Sequence, residues 1–342
     1  MSKRLKNLVV AAILLGAIMS VSHAKPDLET PVDMSVLHAK DSGYHFTHHT
    51  FSAPAPNITV SGTDNELSAQ WQNYAKPRHY QVWLGIPKTQ ADAHPIKTPK
   101  NAGKVIYMLD GNAAIDDLDK DFLRAISHAS PPEYAPILVF IGYQTPYRFD
   151  VDARAYDYTP PLLSATAGKK DLFKEDGRDR LNGGAAQFYD TIEQQVKPWV
   201  YEQLGTKPEQ EALWGHSYGG LFVLYNLFAH PDAYQQYFSA DPSLWWQEGE
   251  MIKYWQAYQD LPPSRLAELA KTKQLRLSFS QSPKQTAALS DKRPNLVGAA
   301  LSKQAFAEEV CSYFQDNCRY QTFEQSHGEV FKTSLLESLE HF

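Results

Sequence analysis

Short apolar runs ended by turn residues alternate along this chain with longer helical patterns. Residues 80–86 read as a strand ended by Pro87, 105–109 form an apolar run that stops at Asp110-Gly111-Asn112, and 137–141 form another that ends at Gly142. Unbroken apolar runs of this length suit strands buried on both faces of a parallel sheet. Residues 212–214, 237–240, 275–280 and 320–323 read as further strands. Between them, 185–204 repeats Phe188, Ile192 and Val196 every fourth residue, with Pro198 predicting a kink or a new first turn. The stretch 221–229 is apolar on every side, as a helix buried all round should be. Residues 301–314 and 330–342 carry the last two helical patterns. The alternation predicts an α/β protein, a mostly parallel sheet flanked by helices. His45, His48 and His49 alternate with Thr and Phe, which reads as an exposed strand rather than a metal cluster, and no metal is expected.

Two stretches break this rhythm. Residues 144–184 hold mixed charges, Tyr and Pro without a sustained period, and so long a connection predicts a lid or substrate loop. At the other extreme, Lys3, Arg4 and Lys6 precede an apolar run from Leu8 to Val21, followed by Ser22-His23-Ala24. This is the pattern of a secretory signal over 1–24, too short in its apolar part for a membrane span. The expectation is one domain over 25–342, in the periplasm and without a membrane span after cleavage. The whole chain has a formal charge of −6, and loss of 1–24 would make it more acidic by three charges. That argues against nucleic acid as a partner. The two cysteines, Cys311 and Cys318, are close enough to pair in an oxidising compartment, with free thiols as the alternative.

Gly215-His216-Ser217-Tyr218-Gly219 sits between a short strand and an apolar helix, the setting of a G-x-S-x-G nucleophile elbow. It predicts an α/β-hydrolase fold with Ser217 as nucleophile. A serine hydroxyl needs a base to take its proton. His327, in a loop after the last strand, stands where that fold places its histidine. The strand before the last one, 275–280, ends without a carboxylate, at Phe279-Ser280-Gln281-Ser282. The sequence therefore favours a Ser217–His327 dyad, with Asp241, after the preceding strand, as the possible acid, and Asp291 as a more distant one. The backbone N–H of Tyr218 and one from Gly111 or Asn112 are the expected oxyanion donors.

Six segments occur together and in order: 107–112, 142–145, the Arg-Ala-Tyr-Asp-Tyr-Thr-Pro run at 154–160, Gly183-Gly184, 213–223 and Ser326-His327-Gly328. With these the chain resembles the putative-esterase family of α/β-hydrolases over roughly residues 45–342. Within it, the chain looks like the periplasmic esterases that cleave the trilactones of the catecholate siderophores enterobactin and salmochelin. The resemblance implies a small-molecule ester substrate, with or without bound iron, no cofactor, and a Ser–His dyad without a carboxylate. It also implies that Arg154 grips an anionic group of the ligand. The chemistry of an aromatic, anionic ester separately suits Tyr156 and Trp245, with Tyr143, Tyr158 and Trp246, as flat surfaces of a substrate wall. Residues 162–174 and the Trp245-Trp246 pair depart from that pattern. A feruloyl or other carboxylic-ester hydrolase, and a siderophore-binding protein without catalysis, are the alternatives.

Overall fold

The computed structural model describes residues 30–55, 77–88, 103–128, 135–163, 173–174, 180–281 and 302–342. Its main sheet has eight strands in the order β1-β2-β4-β3-β7-β8-β9-β10, and β5 (Phe173–Lys174) pairs with β6 (Leu181–Asn182) apart from it. β1 (Tyr44–Ala53) and β2 (Arg78–Pro87) form an antiparallel edge, and β2 also runs antiparallel to β4 (Ile137–Tyr143). From β4 onward every pairing is parallel, through β3 (Lys104–Met108), β7 (Gln210–His216), β8 (Gln236–Ala240), β9 (Gln274–Ser280) and β10 (Cys318–Phe323). The strand order reverses direction between β3 and β7. In open α/β sheets such a reversal leaves a crevice at the carboxyl ends of the strands, where ligands bind.

The parallel strands are the apolar runs of the sequence because both of their faces are covered. One face places Tyr107, Val139 and Leu213 under α6 (Tyr218–Ala229), and the other places Met108, Phe140 and Trp214 with Phe331 and Leu335 of α10 (Glu329–His341). Every residue of α6 from Tyr218 to Phe228 is buried. The histidines of β1 belong to an edge strand, where His45, His48 and His49 are all exposed. The 185–204 pattern is a helix with a π-turn at Ile192–Val196 ahead of Pro198, which lies at the start of the helix Lys197–Leu204. The wider turn accommodates a proline that cannot donate an N–H.

Part of the expected lid is something else. Residues Val151–Asp157 form helix α3, capped by the Asp150 carboxylate accepting from Ala153 N–H at 2.9 Å. Tyr156, Asp157, Tyr158 and Thr159 are buried. The lid reading fails for this stretch because its polar groups find partners inside. Arg78 pairs with Asp157, Tyr143 donates to the same carboxylate at 3.1 Å, and Thr159 donates to the Ala155 carbonyl at 2.6 Å. The signal over 1–24, and most of 162–174, lie outside the described residues. Among the described residues no helix is long and apolar enough to cross a membrane.

Cys311, in helix α9 (Lys303–Phe314), is bonded to Cys318 at the start of β10, across a Cα–Cα distance of 4.9 Å. The bond ties a helix end to the edge strand. Closing so short a loop stabilises the fold by about 2–3 kcal/mol on the loop-entropy account. The double variant Cys311→Ser/Cys318→Ser is expected to lose about that much in urea unfolding, and reductant should then have no further effect on its midpoint.

Candidate active site

β7 ends at His216 and α6 begins at Tyr218, so the chain turns from strand to helix on Ser217 alone. Ser217 has φ 61° and ψ −115°, a strained backbone for a residue with a side chain. The turn is this tight because glycines let backbones meet. A Cβ on Gly215 would lie 2.5 Å from the Gly219 carbonyl oxygen, and one on Gly220 would lie 2.8 Å from that of Ala240. Gly219 itself would meet only ordinary contacts at 3.6 Å, so it serves by offering its backbone to Gly215. The Ser217 N–H donates to the Ala240 carbonyl at 2.9 Å, and the Ser217 carbonyl accepts from Ser243 N–H at 3.2 Å. The elbow is thus clamped to the end of β8.

His327 lies in the loop between β10 and α10, with its Nε2 3.0 Å from Ser217 Oγ. Its Nδ1 is 2.5 Å from Asp241 Oδ2. An ionised carboxylate can only accept, so Nδ1 carries the proton and Nε2 is left to accept the serine proton. This corrects the dyad expectation: in the folded chain a carboxylate stands behind the histidine. It comes from the end of β8 rather than β9, at a residue with φ 39°. At the end of β9, where the acid was missed, Ser280 instead donates to Asp241, from Oγ at 2.6 Å and from N–H at 3.2 Å. Asp291 lies outside the described residues.

Two further groups were not singled out in the sequence. Lys303, the first residue of α9, pairs with Asp241 Oδ1. Burial opposes ionisation of Asp241, but the His327 hydrogen bond and the Lys303 charge outweigh it and hold the carboxyl well below the usual range. Ser243 places its Oγ 3.2 Å from Ser217 Oγ. Neither carries a local motif, since both reach the site only through the fold. His216 is also recruited: its Nε2–H donates to the His327 carbonyl at 2.7 Å, fixing the loop from below. Burial first, then the neighbouring His327 and Arg154 charges, push its pKa well down, so it stays neutral. The donor atoms of His216, Asp241 and His327 lie within 4.8 Å of one another. Those of Asp241 and His327 are engaged with each other and with Ser217, and His216 Nε2 with the His327 carbonyl. That favours a proton path over a metal site.

Tyr218 opens α6 directly after Ser217, and Gly111 and Asn112 open the short helix α1 (Gly111–Asp116) at the end of β3. First-turn N–H groups have no acceptor within their own helix, as oxyanion donors require. The Asn112 side chain is committed elsewhere, donating to the carbonyls of Tyr143 at 3.2 Å and Thr145 at 3.1 Å and accepting from Tyr143 N–H at 2.9 Å. Only its backbone is left for such a role.

Arg154 does not stand on an open wall. It forms a two-pronged pair with Asp110, Nε to Oδ1 at 2.9 Å and Nη2 to Oδ2 at 2.8 Å, and reaches the His216 carbonyl at 3.3 Å. The two side chains are 13% and 1% exposed. The expected ligand grip is corrected accordingly: the cation is spent within the protein, tying α3 to the loop after β3 and to the elbow. Tyr156 is likewise buried, its ring filling the space that a Cβ on Gly184 would need and lying 4.0 Å beneath the Arg78 guanidinium. Tyr143, Tyr158 and Trp246 are buried too. Of the aromatic residues expected on the wall, Trp245 alone stays half-exposed, 6.1 Å from the Tyr218 ring.

Removing one partner of a buried pair strands the other charge, at about 3–5 kcal/mol. Arg154→Gln is therefore expected to destabilise the protein by roughly that amount. Arg154→Lys should recover only part, because lysine keeps the charge without the two-pronged geometry. Urea unfolding of both variants tests this; a stable Arg154→Gln protein would contradict it.

The family model described as "Putative esterase" matches residues 78–342. The apo-salmochelin esterase of Escherichia coli O6:H1 is 36% identical over 223 residues, covering 65% of this chain and 58% of that protein. The ferri-bacillibactin esterase BesA of Bacillus subtilis is 31% identical over 211 residues, covering 60% of this chain and 67% of that one. The match thus spans less than two thirds of the length of the first of these curated relatives. Among solved structures, the enterobactin hydrolase IroE in complex with DFP superposes with a TM-score of 0.58 at 27% identity, covering 89% of this chain and 97% of that one. The siderophore hydrolase EstA from Aspergillus nidulans, at 22% identity, gives 0.62 over 86% and 93% and attests the fold. With an α/β-hydrolase sheet, a nucleophile elbow and this match over most of its length, the chain belongs to the putative esterase family.

Proposed function

We propose that this protein is a serine esterase that hydrolyses the ester bonds of siderophores, of the catecholate trilactone type. The observation that carries the reading is the hydrogen-bonded chain Ser217–His327–Asp241 at the elbow, with contacts of 3.0 and 2.5 Å. His327 Nε2 takes the Ser217 proton as Oγ attacks the ester carbonyl, and Asp241 holds the imidazolium that forms. The developing oxyanion is met by the backbone N–H of Tyr218 and that of Gly111 or Asn112. The alcohol leaves with the proton from His327, and water then releases the acyl group from Ser217 by the same steps in reverse order.

The siderophore part of the reading is supported by the relatives, whose names carry salmochelin and ferri-bacillibactin. The Cys311–Cys318 bond fits an oxidising compartment and therefore the expected periplasmic location.

Mass spectrometry of products from enterobactin, salmochelin and a feruloyl ester tests the reading. Linearised siderophore is expected from the first two, and preferential cleavage of the feruloyl ester would replace the substrate assignment. Ser217→Ala should abolish product, by about 10⁶-fold in kcat.

Asp241→Asn should lower kcat by roughly 10⁴-fold, as for a triad acid. A loss under about tenfold on nitrophenyl acetate would instead return the mechanism to a dyad.

A further inference from the structure

A polar cavity that none of the Ser217, His327 and Asp241 side chains lines lies between α10 and the sheet. The face of the sheet under α10 begins as expected, with Trp214 on β7 and Phe238 on β8. The same lateral row then continues with Arg276 on β9 and Arg319 on β10. Apolar side chains normally fill the layer beneath a covering helix. Here α10 presents Ser334, Glu337 and Ser338 to these strands, and a cavity of about 220 Å³ remains between them. That is room for several waters, or for a small ion with part of its hydration.

Three observations give this cavity a charge preference. Arg276 and Arg319 are direct partners across β9 and β10, and like charges placed side by side repel. Neither guanidinium has a hydrogen bond or ion pair within the described residues, although Arg276 is half-buried. Burial and then the Arg319 charge disfavour the Arg276 cation, and only Glu337 favours it. Glu337, the one carboxylate lining the cavity, is itself engaged by the Gln321 amide. Finally, the Trp214 indole lines the cavity, is 1% exposed, and its Nε1–H has no acceptor among the described residues. Buried donors in folded proteins are nearly always paired. Two planar guanidinium forks and an inner N–H form a donor set without its acceptor.

We propose that this cavity binds a small oxyanion, a carboxylate or a phosphate, held by Arg276 and Arg319 with the Trp214 N–H as the innermost donor. Guanidinium groups match the spacing of carboxylate and phosphate oxygens. The proposal is independent of the esterase reading, since none of the three donors belongs to the elbow or to the Asp241–His327 pair.

The full chain is titrated separately with sodium phosphate and sodium benzoate, at constant ionic strength made up with sodium chloride. Thermal midpoint and the indole ¹⁵N–¹H resonance of Trp214, assigned with Trp214→Phe, are followed. A saturable rise in midpoint with a downfield move of the Trp214 proton is expected for at least one anion. Response to phosphate alone, to benzoate alone or to both then says which oxyanion the site takes. Arg276→Gln should weaken binding at least about tenfold, the loss of one charged hydrogen bond. Arg319→Gln, at an exposed position, should do the same. Anion effects no larger than those of chloride, binding that leaves Trp214 unmoved, or full affinity in both arginine variants would overturn the proposal.

Discussion

Ser217 holds φ 61° and ψ −115°, a conformation that a residue with a side chain adopts only under compulsion. The surrounding structure supplies that compulsion from three sides. Gly215 and Gly220 let β7, α6 and the end of β8 come within backbone contact. The Ala240 carbonyl and Ser243 N–H bind the serine backbone, and Arg154 binds the carbonyl of His216 just before it. Strain of this kind, about 1–3 kcal/mol per residue, persists only where neighbours over-determine it. Asp110 and Asp241, at the ends of β3 and β8, also have positive φ, so the three strand ends that meet at the crevice are all bent off their strands.

Charge is arranged around that bend in two opposed pairs. Beneath the elbow, Arg154 is neutralised by Asp110, which fixes the loop that carries Gly111 and Asn112. Behind the histidine, Asp241 is flanked by His327 on one oxygen and Lys303 on the other. His216 remains neutral between them, chiefly because it is buried. Each group that could titrate or rotate is therefore held by a specific partner. Preorganisation of this kind is what acyl transfer requires, because dipoles already in place need no rearrangement as charge develops.

The sheet order explains why the acid can stand on β8. β8 lies next to β7 in the sheet, so Asp241 is one strand away from Ser217 and the His327 loop needs only to fold back over it. Ser280 at the end of β9 then becomes a support for the carboxylate, and Lys303 arrives from the helix that follows.

Local pattern was enough to read the strands, the buried helix after the elbow, the serine of the elbow and the histidine that meets it, and the pairing of two nearby cysteines. These depend on periodicity, turn chemistry and short spacing, all of which are written in consecutive residues. The acid was not legible that way: Asp241 before Pro242 looks like any turn former, and only the β7–β8–β9 neighbourhood aims it at a histidine 86 residues away. Arg154 failed for the opposite reason, since a motif shows that a cation is present but not which carboxylate neutralises it. Asp110 lies 44 residues before it. Residues 151–160 read as part of the 144–184 lid because their mixed charges, Tyr and Pro show no sustained period. Whether such groups face water or bury depends on whether partners exist inside, and the partners of Asp157 come from β2 and β4. Burial of polar groups is decided by pairing, and pairing across distant segments exists only once the chain has folded.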